Sequence, residues 1–448
     1  MPVTRLLAPR TLLAVGVVLL AVAVVLAIVL RHGGKHAAVP TVSTSAVPVQ
    51  PPPPAGPSVT AVSSYTATIG GARDGLVRWG PAGMRPVLWA RAANGAAALT
   101  GLADGTKYIA EVGDESLGFR TAAAPSQVAA SVSDAKVIVN GAPVFPLIAW
   151  QQCPDQWEPN LRQGITLFAG NPCTDLGSLL TWVSGKALAV GTSDDTATAS
   201  GPGLIGWFYP DEADGRGIDA ASLPAPPAAG VRFLTITGHF FSGSAPLPEG
   251  RGMYPGLIAA SDVVGLDLYP LQEWCRPDRL AEVFDAQREL VALAPGKPTF
   301  QWIEVRQMKC PQVQVTQATI RAESWLAIAG GAHGLGFFPN DWGAQVGDTI
   351  HGIAQRVKQL EPALLQPLVP VEVAGAPSVR ASARELDGAL YVIAVNGGTA
   401  AAAATLAAPQ LADRTFEILG SDRQLTAKDG AVEDTLPPLG VRIYVAAP

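Results

Sequence analysis

The stretch Leu204-Ile205-Gly206-Trp207-Phe208-Tyr209-Pro210-Asp211-Glu212 runs apolar without alternation and then turns into two adjacent carboxylic acids. A strand that is apolar on both sides is a strand covered on both faces, the situation inside a parallel sheet clothed by helices. Seven other runs share this texture: Phe145-Trp150, Ile165-Gly170, Ala187-Thr192, Val231-Thr237, Val263-Tyr269, Thr299-Val305 and Leu335-Pro339. The segments between them are patterned for crossover helices. Asp278 to Leu293, with apolar Leu280, Val283, Phe284 and Leu290, is one of them. Eight such units over 136–366 predict a compact closed (β/α)8 barrel. An open doubly wound sheet would place a Gly-x-Gly-x-x-Gly turn after its first strand, and the sequence has none.

Outward from the barrel, 58–123 breaks into short β-prone runs at 58–62, 65–69, 75–80 and 107–112, the spacing of a β-sandwich. The end of the chain, 369–448, alternates runs such as 389–395 and 440–445 with turns and reads as a second sandwich packed on the barrel. Between 37 and 57 the composition turns to Pro, Val, Ser and Thr, including Pro51-Pro52-Pro53-Pro54, which cannot build a core and suits an extended spacer.

The first 36 residues hold Thr11 to Leu30, twenty residues without a charge, flanked by Arg5 and Arg10 on one side and Arg31 and Lys35 on the other. That length spans a bilayer. Residues 1–36 are therefore expected to be a cytoplasmic stub and an uncleaved, single-pass signal anchor in the cell membrane. The slight excess of positive charge before the apolar run keeps the N-terminus inside and the bulk of the chain outside. Cleavage after the run would make the protein secreted.

Composition excludes several partners. A net charge of -6 with 15% charged residues offers no basic face to nucleic acid. No phosphate-cradling loop and no Gly-x-Ser-x-Gly elbow occurs, so no cofactor and no serine-hydrolase chemistry is expected. The four cysteines, Cys153, Cys173, Cys275 and Cys310, form no Cys-x-x-Cys pair, and the histidines are scattered, which favours disulfides over a metal site. Cys153 and Cys173 follow strands one and two, and Cys275 and Cys310 follow strands six and seven, so the expected pairs are Cys153 with Cys173 and Cys275 with Cys310.

Catalytic groups of such barrels come from the C-terminal ends of strands. Strand four delivers Asp211 and Glu212, and strand seven, Phe300-Gln301-Trp302-Ile303, delivers Glu304. Two carboxyls facing each other across the mouth suit glycoside hydrolysis, in which one protonates the leaving oxygen while the other attacks the anomeric carbon or activates water. Sugars also need aromatic platforms and planar polar groups, and the strand ends supply Trp150, His239, Asp267, Tyr269, Trp302, Asn340 and Trp342 as candidates for binding a carbohydrate. Eight of the ten tryptophans fall in the barrel segment. Of these, Trp182 and Trp325 lie in expected helices, Trp207 and Trp302 are equally suited to filling the barrel, and His239 is as suited to a structural role.

These residues resemble glycoside hydrolase clan A, whose acid/base Glu ends strand four and whose nucleophilic Glu ends strand seven. The resemblance implies that Glu212 is the acid/base, that Glu304 is the nucleophile and that configuration is retained. The clan usually has Asn before the acid/base, where this chain has Asp211, which accepts but does not donate a hydrogen bond to a sugar hydroxyl. Asp211 is thus a second candidate for the acid. The run Leu99 to Tyr108, with Gly118-Phe119-Arg120-Thr121, resembles the second half of a fibronectin type III domain, which implies a spacer or binding module. The rival to the enzyme is a cell-surface carbohydrate-binding or adhesion protein that keeps a sugar cleft without turnover.

Overall fold

Eight parallel strands close on one another in sequence order: β1 (Leu147–Trp150), β2 (Leu167–Ala169), β3 (Leu188–Gly191), β4 (Leu204–Phe208), β5 (Val231–Thr237), β6 (Val263–Asp267), β7 (Thr299–Glu304) and β8 (Leu335–Phe338), with β8 pairing back to β1. The computed structural model describes residues 56–73, 75–123, 127–192 and 200–448. The apolar segment Thr11 to Leu30, nearly all of the spacer 37–57 and the tip after β3 lie outside these. Among the described residues no helix is long and apolar enough to cross a membrane.

Among the described residues the α-helices are α1 (Pro154–Gln163), α2 (Leu176–Val183), α3 (Tyr254–Ala260), α4 (Glu282–Leu293), α5 (Gln317–Gly330) and α6 (Ala344–Leu364). Local chemistry sets their ends. Pro154 sits in the first turn of α1, where its missing N–H costs nothing. Asp175 caps α2 by accepting from the Ser178 amide at 2.9 Å. Thr316 and Thr319 cap α5 reciprocally. The helix expected over 278–293 is split: a 3-10 turn, Pro277–Arg279, precedes α4.

Inside the barrel, Trp150, Phe208, Phe233, Phe300 and Trp302 fill the lumen with ring contacts of 5.2–6.4 Å. Two of these rings lie where a neighbouring strand has no side chain. A Cβ on Gly265 would stand 2.0 Å from the Phe300 ring, and one on Gly336 would stand 2.1 Å from Trp302. Large residues against glycines pack the lumen solid beneath its mouth. Trp207 points outward instead, toward α2, where the absence of a side chain on Gly191 accommodates its ring.

The segment 136–144 differs from expectation. It belongs to a three-stranded sheet, Ala130–Ser133, Lys136–Val139 and Ala142–Val144, whose Val137 and Val139 join the lumen core and seal the base, so the barrel itself begins at Leu147.

N-terminal to the barrel, two sheets face each other, one of three strands (Ser58–Val62, Thr66–Gly70, Ala96–Thr100) and one of four (Leu88–Arg91, Leu76–Pro81, Lys107–Val112, Glu115–Arg120). Leu102 and Tyr108 are buried between them, and the Tyr108 hydroxyl accepts from the Ala103 amide at 2.8 Å. The C-terminal region forms a six-stranded and a three-stranded sheet. It docks on the barrel through the buried Arg384, whose guanidinium donates to the carbonyls of Leu364 and Ile328 near the C-terminal ends of α6 and α5, where a cation meets the negative pole of each helix. A bidentate pair from Arg380 to Asp285 of α4 (2.8 and 2.7 Å) adds a second tie. Tyr391 reaches across to the N-terminal sandwich, donating to the Val87 carbonyl at 2.8 Å.

Candidate active site

At the open end of the barrel, β4 runs on into Pro210, Asp211 and Glu212. Glu212 adopts a left-handed backbone conformation (φ 50°), costly for a residue with a Cβ. What holds it there is Asp214, which the sequence reading missed. This buried carboxylate accepts from the Thr237 amide (3.1 Å), the Thr237 hydroxyl (2.6 Å) and the Tyr254 hydroxyl (3.0 Å), pinning the β4 exit to β5 and α3. Strain kept by its surroundings in this way is characteristic of functional positions.

β6 ends at Asp267, followed by Leu268 and Tyr269. Strand alternation turns Asp267 and Tyr269 toward the axis, while Leu266 and Leu268 pack outside. Tyr269 donates to Asp267 at 2.7 Å, and its ring stacks on Phe338 of β8 at 5.9 Å. Asp267 also lies within hydrogen-bonding reach of Glu212. Burial, and after it the charges of Asp211 and Glu212, holds the Asp267 carboxyl well above the usual carboxylate range; the Tyr269 hydroxyl opposes this. Burial, with the Glu212 charge added, raises Asp211 to about 6, against the pull of Arg216. The Tyr269 phenol is pushed up by burial and by Asp267. Asp211, Glu212, Asp267 and Tyr269 thus form one group, with Trp150 and Trp302 in the aromatic layer of the lumen and the Trp302 indole donating to the Thr235 hydroxyl at 3.0 Å. Among the described residues no His, Cys, Asp and Glu cluster is disposed to hold a metal ion.

Glu304 does not join this group, contrary to the pairing with Glu212 expected from sequence. It is fully buried at the end of β7, and its carboxyl accepts the amides of Leu271 (3.2 Å) and Gln272 (2.8 Å) in the loop leaving β6. The Gln272 side chain answers by accepting the Met308 amide (2.7 Å) and donating to the Val313 carbonyl (2.7 Å) in the loop leaving β7. Glu323 of α5 accepts the Glu304 amide at 3.1 Å. Burial raises Glu304 to about 8, the two amides opposing, and raises Glu323 well above the carboxylate range, with the charge of Glu304 adding to it. The acids acting on this pair are each other and Glu273, whereas Asp211 and Glu212 act on Asp267. Glu304 is a brace between two loops.

The remaining candidates divide similarly. Asn340 ties the β8 exit to the β1 exit by donating to the Gln151 carbonyl at 3.0 Å. His239 is exposed, with Nδ1 2.8 Å from the Ala245 carbonyl of its own loop. Trp342 is drawn away from the mouth: its indole donates to Gln163 of α1 at 2.8 Å, and its ring packs on outward-facing Phe337. Disulfides join Cys153 to Cys173 and Cys275 to Cys310, the expected pairs, each linking adjacent exit loops.

No protein-family model and no curated protein matches the chain. Among solved structures it is similar to a GH30 endoxylanase from Clostridium papyrosolvens C71, at 11% identity and TM-score 0.40 over 72% of this chain and 100% of that one. It is similar to a putative alpha-galactosidase/melibiase from Bacteroides fragilis, at 11% identity and TM-score 0.38 over 87% and 98%. A third similarity is to a maltogenic alpha-amylase from Thermotoga neapolitana, at 9% identity and TM-score 0.42 over 68% and 99%. These likenesses concern chain path, and the chemistry rests on the residues of the mouth.

Proposed function

We propose that the protein hydrolyses glycosidic bonds at the open end of its barrel. The observation that supports this reading is the convergence of Asp211 and Glu212 from β4 with Asp267 from β6, in a setting that holds the Asp267 carboxyl well above the usual carboxylate range and raises Asp211 to about 6. Such divergence between neighbouring carboxyls separates an acid from a nucleophile or base. Asp267 gives its proton to the leaving glycosidic oxygen as the bond to the anomeric carbon breaks. Asp211, ionised, attacks that carbon to form a glycosyl ester. Water, deprotonated by Asp267, then cleaves the ester and restores Asp211, so that configuration is retained. Glu212 holds Asp267 in place, and the half-buried ring of Tyr269, stacked on Phe338, offers an apolar wall to the sugar face.

The working protein is, in this reading, a single-pass membrane protein with its catalytic part outside. The apolar Thr11 to Leu30 and the two disulfides, which persist in oxidising compartments, support this placement. The N-terminal sandwich, with its three-plus-four strands and buried Tyr108 corner, supports the role of a fibronectin type III-like spacer.

The test is a panel of aryl glycosides and cell-wall polysaccharides with the wild type, Asp211→Asn and Asp267→Asn. Turnover by the wild type that falls at least a thousandfold in either variant is expected. The withdrawal of Glu304 from the mouth favours the rival reading of a sugar-binding protein without turnover, and wild-type chain that binds a glycan but releases no product would establish it.

A further inference from the structure

Two cavities on the flank of the barrel, about 370 Å³ between α5 and α6 and about 430 Å³ where α6 meets both sandwiches, abut at Gly352 and Arg356 and together make up a trough along α6. Each is the size of a small-ligand cleft.

Gly352 stands at the junction, in the interior of the long helix α6. A glycine there destabilises a helix by about 1 kcal/mol relative to alanine. Packing gives no reason for it, since a Cβ at this position would meet nothing within 4 Å, and its φ is not in the left-handed region. Its effect is to keep the trough open where the two cavities join.

Arg356, half-buried beside it, makes one side-chain hydrogen bond, to Gln359, and burial lowers its pKa. No carboxylate neutralises it among the described residues, and Arg321, Asp348 and Asp422, which also line the trough, are likewise without ion pairs. Two guanidinium groups and two carboxylates therefore line the two cavities without an ion pair, Arg356 having Gln359 as its side-chain partner. Their charges balance, which does not suit a polyanion or a polycation. Planar donors and acceptors of both kinds suit the paired hydroxyls of a neutral sugar chain.

The walls are preformed. Gln359 donates to the Arg85 carbonyl at 2.8 Å, and Arg85 pairs with Glu417 at 2.6 Å, so α6 and both sandwiches are fixed around the trough before anything binds.

We propose that this trough is a second carbohydrate-binding site, one that holds a neutral polysaccharide chain away from the barrel mouth. It goes beyond the hydrolase reading and stands whether or not the mouth turns substrate over.

The test compares full-length wild type, Gly352→Trp, Gly352→Ala and Arg356→Ala for retention on gels containing a neutral β-glucan, α-glucan, xylan or galactan, with polygalacturonate as the charged control. At least one neutral polymer should retard the wild type. Gly352→Trp, which fills the junction, and Arg356→Ala should weaken that retention tenfold or more. Gly352→Ala should keep most of it while resisting urea better, and hydrolysis of small aryl glycosides should be unchanged in all three. Equal retention of folded Gly352→Trp and wild type overturns the proposal, as does retention by polygalacturonate alone or by no polymer. Absence of turnover with trough-dependent retention would instead sink only the hydrolase reading.

Discussion

Replacing Glu304 separates a brace from a nucleophile. In the fully buried site its two oxygens receive the Leu271 and Gln272 amides. Glu304→Ala leaves both donors unpaired, at about 1–3 kcal/mol each, and opens a cavity besides. A loss on the order of 3–5 kcal/mol is expected. Glu304→Gln keeps one acceptor oxygen but turns its NH2 toward the other amide, so one donor is lost, for about 1–3 kcal/mol. Urea unfolding followed by circular dichroism gives these differences. Turnover measured where both variants are folded should change far less than in Asp267→Asn, because Glu304 touches loops and no reacting atom. Should Glu304→Gln unfold with the wild type yet lose a thousandfold in kcat, the side chain belongs to the chemistry and the brace is refuted.

Other consequences follow from the same contacts. The Glu304 and Glu323 carboxyls are raised in the folded state, so the fold holds protons that the unfolded chain releases near its ordinary glutamate value. The contribution of this pair to stability should be fullest below the ordinary glutamate range and be lost as pH rises, for Glu304 toward about 8, at up to about 1.4 kcal/mol per pH unit for the proton it holds; urea midpoints that keep the same slope in Glu323→Gln would count against this. Burial raises Asp211 to about 6, so the acid limb of any kcat/KM profile should lie near that pH, and an acid limb at the ordinary carboxylate range would count against its role as the attacking group. Glu212→Gly, which relieves the left-handed strain at φ 50°, should gain about 1 kcal/mol in urea while losing turnover; a less stable variant would show that the side chain holds the loop. Arg384→Met strands two buried helix-end carbonyls and should lose about 2–4 kcal/mol, with faster proteolysis at the junction near Leu365; unchanged midpoints would mean that the sandwich docks without it.

The eight strands were legible because a strand covered on both faces loses alternation, and 204–209 and 299–303 show this without help from neighbours. The disulfides were legible because strand order places consecutive exits side by side. Glu304 was not. Its position at a strand end says where the Cα lies and nothing about which donors compete for the carboxyl. The pairing of β7 with β6 stops at Gln301, and the amides of Leu271 and Gln272 occupy the gap beyond. Trp342 failed for the same reason, captured by a glutamine 179 positions away. Asp267 was placed at the mouth, but the burial and neighbouring charges that raise its carboxyl arise only when β4 and β6 are brought together. Asp214 carried a faint signal, a third acid within four residues of Asp211.

The two cystine links divide the rim unevenly. They fasten the exits of β1 and β2, and those of β6 and β7, and leave the exits of β3, β4, β5 and β8 without such a fastening. Anyone grafting new recognition loops onto this scaffold should therefore insert after β5 or β8, where added length strains no cross-link, and leave the stapled corners alone.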